Sequence, residues 1–158
     1  MAQDFRSSVI GLWARLGLGE PRFNEPGRIQ LRIDRTSLDL VDNGRGRLIV
    51  EGVAGTLPMD RAEAARRVRR VLQTNLGFLL GNEAGVYVKD RQGDSVLAVR
   101  ASYAYGAADP ERLKKTIEDT LRVIDYYGAQ FAAAVPSGLP VGGRGVAEET
   151  IEAVIFRP

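Results

Sequence analysis

The sequence contains neither cysteine nor histidine among its 158 residues. The absence of cysteine excludes a disulfide framework and a thiolate metal site, and it fits a reducing compartment. The two absences together remove the residues that most often serve as catalytic base, nucleophile or zinc ligand. We therefore expect a cytoplasmic protein that is not an enzyme and that holds no cofactor or metal.

Long apolar runs are also missing. No segment approaches the ~18 consecutive apolar residues of a membrane-spanning helix. The first helix carries Asp4 and Arg6 and lacks the continuous apolar stretch of a secretory signal. We expect no membrane insertion.

Three aspartates, Asp34, Asp39 and Asp42, form the best carboxylate group for a hard cation. They fall on or beside the outward positions of a predicted hairpin. A solvated strand face with turn aspartates is the favoured interpretation, so no metal site is predicted.

The length predicts one domain. We place this domain at residues 1–135 and assign 136–158 to a linker and a short tail, because 137–145 is rich in glycine and proline. The apolar run at 151–156 fits either a helical turn or a strand.

Alternation of apolar and polar residues predicts five strands. Three follow one another at 28–33, 38–42 and 47–53, and a second hairpin joins 85–89 to 95–105. Amphipathic periodicity and capping residues predict three helices. They run from Asp4 to about Gly17, from Asp60 to about Leu80, and from Asp109 until Pro136 ends the last one. The fold class is α+β, a compact α-βββ-α-ββ-α domain with a mostly antiparallel, twisted sheet packed by helices.

The end of the second helix is apolar around more of its circumference than one sheet contact requires. A second burial partner would explain this surface, and a homodimer interface centred on the helix is one such partner. The alternatives are a helix sunk in a larger core or one that ends early near Gly77. The predicted interface residues are Val68, Val71, Leu72, Asn75, Leu76, Phe78 and Leu79. Asn75 would form a hydrogen bond across the axis.

Four arginines at 66, 67, 69 and 70 are the one feature typical of nucleic-acid binding. Helical geometry spreads them over more than one face, and no aromatic residue lies between them for base stacking. A solvated face or the rim of a subunit interface is the favoured interpretation.

Several apolar residues of the first helix and the first three strands are candidates for an exposed groove that receives an extended peptide. Strand addition would supply its backbone hydrogen bonds. The candidates are Ile10, Trp13, Leu31, Ile33, Leu40 and Val50. Alternation tells which residues share a face of the sheet, but it leaves open which face is the core.

A series of short motifs resembles the Tir-chaperone (CesT-like) family, the class I chaperones of type III secretion. They are Leu16-Gly17-Leu18, the first strand from Gly27 to Asp34, Leu57-Pro58, the helix end from Val71 to Leu76, and the approach from Gly81 to Val86. The resemblance covers about residues 4 to 131. Their order and spacing, more than any single motif, carry it.

The resemblance implies a cytoplasmic homodimer that binds the N-terminal segment of a secreted effector in extended form without ATP. It places the second helix at the dimer interface and the effector on the first helix and the sheet. The chain departs from this usually acidic family in its balanced charge, 22 basic and 20 acidic residues, and in its long tail. The role of the tail stays open between covering the groove and docking to the export apparatus. The secretion ATPase or the export apparatus is a further candidate partner.

Two alternatives remain open from the sequence. One is a YbjN-like regulatory or interaction module of the same fold that has no secreted client. The other is a nucleic-acid-binding regulator that uses the four arginines.

Overall fold

The computed structural model describes residues 4–23, 25–79, 84–107 and 109–133. The elements are α1 (Phe5–Leu16), β1 (Arg28–Ile33), β2 (Thr36–Asp42), β3 (Arg47–Thr56), α2 (Arg61–Leu79), β4 (Gly85–Arg91), β5 (Asp94–Ala104) and α3 (Pro110–Ala133). A short 3-10 turn, Tyr105–Ala107, follows β5. The predicted order of helices and strands is confirmed.

The helix starts are set by local hydrogen bonds. Asp4 accepts a hydrogen bond from the backbone N–H of Ser7 at 2.8 Å, and the Ser7 hydroxyl oxygen accepts one from the backbone N–H of Asp4 at 3.0 Å. This reciprocal pair is a capping box in which serine replaces the usual glutamate. Asp60 caps α2 through its side chain alone, accepting a hydrogen bond from the backbone N–H of Glu63 at 2.7 Å. Gly17 ends α1 in the left-handed conformation at φ 67°.

All five strands form one antiparallel sheet in the order β1-β2-β3-β5-β4. β1, β2 and β3 pair in sequence order, β4 pairs with β5, and β5 joins the two groups by pairing with β3. β1 and β4 are therefore the two edges of the described sheet. β2 begins two residues earlier than predicted, and β3 continues to Thr56 through a register shift between Val53 and Gly55.

The helices pack against one face of the sheet. Buried side chains of that face alternate along the strands, as in Ile29 and Leu31 of β1, and join buried residues of α1 and α3 in one cluster. Val71 of α2 joins the same cluster. The opposite face carries polar or charged side chains from every strand, such as Gln30, Asp39 and Arg100. The structure thus decides which face is the core.

α3 approaches β3 closely enough that two glycines are required there. A Cβ added to Gly52 would lie 2.5 Å from Ile124 Cδ1 and 2.8 Å from Leu38 Cδ2. One added to Gly55 would lie 3.0 Å from the Phe131 ring. Small residues in β3 therefore let α3 cross the middle of the sheet without a gap.

No described helix is long and apolar enough to cross a membrane. The predicted linker and tail, residues 136–158, lie outside the described residues.

Candidate functional site

The free edge of β1 offers backbone hydrogen-bonding groups. β1 and β2 are joined by the two-residue turn Asp34-Arg35, with Ile33 paired to Thr36. In such a hairpin the closing pair exchanges both backbone bonds, and every second pair does the same. The backbone groups of Gln30 and Arg32 therefore point away from β2, toward the edge where no described strand pairs. This edge can accept one added strand.

An apolar cavity of about 500 Å³ lies at the Ile33 end of β1. It is bounded by the end of α1, the first half of α3 and the tip of the β1–β2 hairpin. Its apolar lining residues are Leu12, Leu16, Leu18, Ile33, Ile117 and Leu121, and Arg32, Asp34, Lys114 and Glu118 also line it. A cavity with these walls can bury one or two aliphatic or aromatic side chains.

A second cavity, of about 530 Å³, lies at the other end of β1 and has polar walls. Trp13 and Ile29 lie among charged residues there. Arg28 forms ion pairs with Asp39 at 3.3 Å and with Glu25 at 3.9 Å. β1 therefore runs between an apolar and a polar cavity. We call this strand edge with its two cavities the β1-edge site.

The structure places the six predicted effector-binding residues in different surroundings. Ile10 is 47% exposed, Ile33 is half-buried and lines the apolar cavity, and Trp13 is buried but lines the polar cavity. The remaining three, Leu31, Leu40 and Val50, are buried in the core. Their side chains contact the chain itself, because the sheet face they share is the one that the helices cover.

Sequence reasoning missed most of the apolar cavity. In the sequence, Leu12 and Leu16 lie on the apolar stripe of one amphipathic helix, and Ile117 and Leu121 lie on that of another. A stripe marks the side of a helix that is buried, but it does not show where two stripes diverge and leave a cavity. Periodicity alone therefore gave no signal for this site.

The predicted dimer-interface residues also differ in how exposed they are. Leu72 is 55% exposed, Val68 is half-buried, and Val71 and Asn75 are buried against the chain's own core. The Oδ1 atom of Asn75 has no hydrogen-bond partner among the described residues. The side chains of Leu76, Phe78 and Leu79 lie outside the described part of the chain. Among the predicted interface residues whose side chains are described, only Leu72 is an exposed apolar residue.

The four arginines of the run at 66, 67, 69 and 70 differ in their surroundings. Arg67 turns toward α3, where its guanidinium lies 5.6 Å from the centre of the Phe131 ring and 2.5 Å from Glu63. Arg66, Arg69 and Arg70 are exposed. The run therefore supplies one packing side chain and three exposed ones, and Arg66, Arg67 and Arg70 line a common cavity of about 470 Å³ with Glu63.

Ionised side chains cluster on the open face near β4. Glu51 accepts hydrogen bonds from Tyr87, Lys89 and Arg100. Partial burial would raise the pKa of Glu51, but these three donors outweigh it and lower the pKa from 4.5 to about 2. Burial and the Glu51 carboxylate raise the pKa of Tyr87 to about 12. The cluster is a closed network whose donors and acceptor satisfy one another.

Two of the three carboxylates considered for a cation, Asp39 and Asp42, are engaged within the chain. Asp39 pairs with Arg28, and Asp42 accepts from the Tyr105 hydroxyl at 3.0 Å and from the N–H of Gly44 at 2.9 Å. In the described ranges, no group of three or more metal-ligating side chains is found. The arrangement is suited to binding a polypeptide through backbone and apolar contacts.

Comparison with protein families matches the chain to the Tir chaperone protein (CesT) family over residues 9–125. The chain belongs to this family. The matched region extends from the middle of α1 into α3, so it includes the whole sheet and every residue that lines the two cavities of the β1-edge site. No curated protein sequence matches the chain.

Solved structures share the fold at low sequence identity. A chain of the HopA1–SchA chaperone–effector complex matches with a TM-score of 0.61 and 19% identity, over 79% of this chain and 94% of that one. A chain of the Yersinia pestis complex of the type III secretion chaperone SycH with a YscM2 fragment gives 0.61 and 17%, over 78% and 99%. YbjN from E. coli gives 0.55 and 10%, over 84% and 94%.

Proposed function

We propose that the chain is a type III secretion chaperone that binds the N-terminal segment of an effector in extended form in the bacterial cytoplasm. The observation that carries the proposal is the open edge of β1 between an apolar and a polar cavity. Membership of the chaperone family and the similarity to chains from chaperone–effector complexes support it.

The energetics of this site suit an unfolded client. An extended segment loses conformational entropy when it binds, which costs several kcal/mol of the gross interaction energy. Hydrogen bonds to Gln30 and Arg32 fix its backbone, and each large apolar side chain buried in the cavity contributes about 1.5–3 kcal/mol. These terms drive binding without ATP. The segment is held extended because strand pairing excludes helix formation.

A homodimer is the second part of the proposal. Leu72 on α2 and Val88 on the edge strand β4 are 55% and 44% exposed, and α2 contacts β4. Large apolar side chains on this side of the molecule favour burial against a second copy. Two β1-edge sites in one dimer would raise the effective concentration for the second contact of a long client segment.

A YbjN-like regulatory or interaction module is the alternative that a specific observation favours, since YbjN shares the fold over most of both chains. This alternative predicts no secreted client. A nucleic-acid-binding regulator would use Arg66, Arg69 and Arg70, which are exposed on α2. Its binding would weaken steeply with salt.

The decisive experiment is native mass spectrometry of the tagged full chain purified from its host under secretion-inducing conditions, without added nucleotide. The expected result is a dimer that carries one copy of a larger protein, lost when the first residues of that protein are deleted. If the Val41→Asp chain captures the larger protein and the Ile33→Asp chain does not, the contact lies at the β1-edge site. A chain that never captures a secreted protein would favour the regulatory alternative.

A further inference from the structure

The apolar cavity lies within reach of a segment that follows α3 in the sequence. α3 ends at Ala133, and its residues Ile117 and Leu121 line the cavity. At 1.5 Å per helical residue, the cavity lies about 18–24 Å back along the helix from Ala133. The apolar run Ile151–Phe156 begins 18 residues further on, after a stretch that contains Pro136, Pro140 and several glycines.

The connection is long enough to reach either end of β1. The 14 residues 134–147 that precede Glu148 span at most about 46–50 Å when fully extended. A tethered ligand binds at an effective concentration set by the length and stiffness of its linker. A connection of this length therefore allows residues 148–156 to act as a tethered ligand for β1 of the same chain.

Charge spacing points to the same place. Along β1, Arg28 and Arg32 lie four residues apart on the open face of the sheet. In the tail, Glu148 and Glu152 have the same spacing, and in an extended segment both would lie on one side. Ile151 and Ile155 would lie on the other side, facing the helices. Strand addition to β1 thus sets acidic residues opposite basic ones and apolar residues over the apolar cavity.

We propose that residues 148–156 of this chain add as a strand to β1 and place Ile155 in the apolar cavity when no client is bound. The register is parallel, with Glu148 opposite Arg28 and Glu152 opposite Arg32, because this direction carries the isoleucines toward the Ile33 end. The part of the inference that concerns regulation rests on the proposed function: the segment competes with the effector and lowers its apparent affinity. If the segment occupies the site for half to nine-tenths of the time, this affinity is reduced about two- to tenfold.

The absence of native cysteine makes a direct test simple. A nitroxide attached to Arg157→Cys in the full chain, without any client, is expected to broaden the NMR signals of the backbone amides of residues 30–34 and 114–121. Adding Ile151→Asp and Ile155→Asp to the labelled chain should reduce this broadening at least about threefold, because a charged side chain is costly in an apolar cavity. The labelled chain without these changes is the matched control.

Charge reversal tests the register. Glu152→Arg should weaken the broadening, and Glu152→Arg combined with Arg32→Glu should restore it, which a non-specific apolar contact would not do. Broadening that is absent, or confined to other parts of the surface, would overturn the proposal. So would broadening seen only when labelled chains are mixed with isotope-labelled, nitroxide-free chains, since the contact would then join two copies.

The client experiment separates this inference from the proposed function. With an effector segment as titrant, the Ile151→Asp/Ile155→Asp chain is expected to bind about two- to tenfold more tightly than the parent. Equal affinities would reject competition while leaving the chaperone function intact. A chain that binds no effector but still shows the intramolecular broadening would reject the chaperone function and retain the docked segment.

Discussion

The two edges of the sheet differ in what surrounds them. At β1 the chain leaves backbone groups unpaired between two cavities, one of them lined by leucine and isoleucine. Near β4 the side chains of Tyr87 and Lys89 are held by Glu51 in a polar network, and Val88 of β4 and Leu72 of the neighbouring α2 are exposed apolar residues. One sheet thus presents a surface suited to an extended segment and another suited to a folded partner. The difference arises from the side chains and helices beside each edge, since the strands themselves are alike.

The largest expected effect is on client binding. Ile33→Asp should weaken binding of an effector segment about 100-fold, or ~2.7 kcal/mol, because it sets a charge at the wall of the apolar cavity. Isothermal titration calorimetry with the captured segment measures this change. Ile33→Ala should weaken binding of the segment about tenfold. Because it adds no charge, it separates the loss of the apolar contact from misfolding.

The matched control is Val41→Asp, a similar change at a half-buried residue on the open face of β2. It should leave client affinity within about twofold, a difference well below 1 kcal/mol. Equal losses in both variants would place the client on the open face and remove the distinction between the edges.

The next effect concerns self-association. Leu72→Asp should weaken the dimer at least about 30-fold, or ~2 kcal/mol, because a charge would be buried at the centre of the proposed interface. Sedimentation equilibrium measures the dissociation constant. Met59→Asp is the control, since Met59 is 95% exposed. A Leu72→Asp protein that remains fully dimeric would refute the α2 interface.

A third change tests the middle of the sheet, between the two edges. Gly52→Ala should destabilise the fold by about 2 kcal/mol, because its Cβ would overlap Ile124 and Leu38. For a domain of this size the melting temperature should fall by about 4–8 °C. Gly85→Ala is the control, as no atom lies within 4 Å of its added Cβ. A similar loss in both variants would mean that strand glycines matter for reasons other than contact with α3.

The smallest effect is the acid sensitivity of the Glu51 network. Because folding lowers the pKa of Glu51 from 4.5 to about 2, the network stabilises the protein fully above pH 4.5. This contribution is lost as the pH falls from 4.5 toward 2. Solvent screening limits it to about 1 kcal/mol.

Urea unfolding of the parent and of Glu51→Gln at several pH values measures the contribution. The difference in unfolding free energy between the parent and Glu51→Gln should decrease as the pH falls below 4.5. Glu118→Gln removes a carboxylate that is half-exposed and 3.7 Å from Lys114, and it should change stability little at any pH. A difference in unfolding free energy that stays constant with pH would contradict the role assigned to the Glu51 carboxylate.

Local signals in the sequence were sufficient to predict the helices and strands. Asp4 and Asp60 mark helix starts, Gly17 marks a helix end, and the Gln92-Gly93 turn joins β4 to β5. Each signal works over four or five residues, because capping and turn formation depend on hydrogen bonds between near neighbours. The extension of β3 to Thr56 was missed because its glycines carry no alternation and are needed for contact with a helix far along the chain.

By itself, then, the sequence determined the order of helices and strands, the hairpins and the resemblance to the Tir-chaperone family. Only the tertiary structure decided that Leu31, Leu40 and Val50 face the core and that Ile33 reaches a cavity. The physical reason is that alternation has a period of two and is symmetric between the faces of a sheet. The packing of α1 and α3 breaks this symmetry, and a cavity exists only where packed elements diverge.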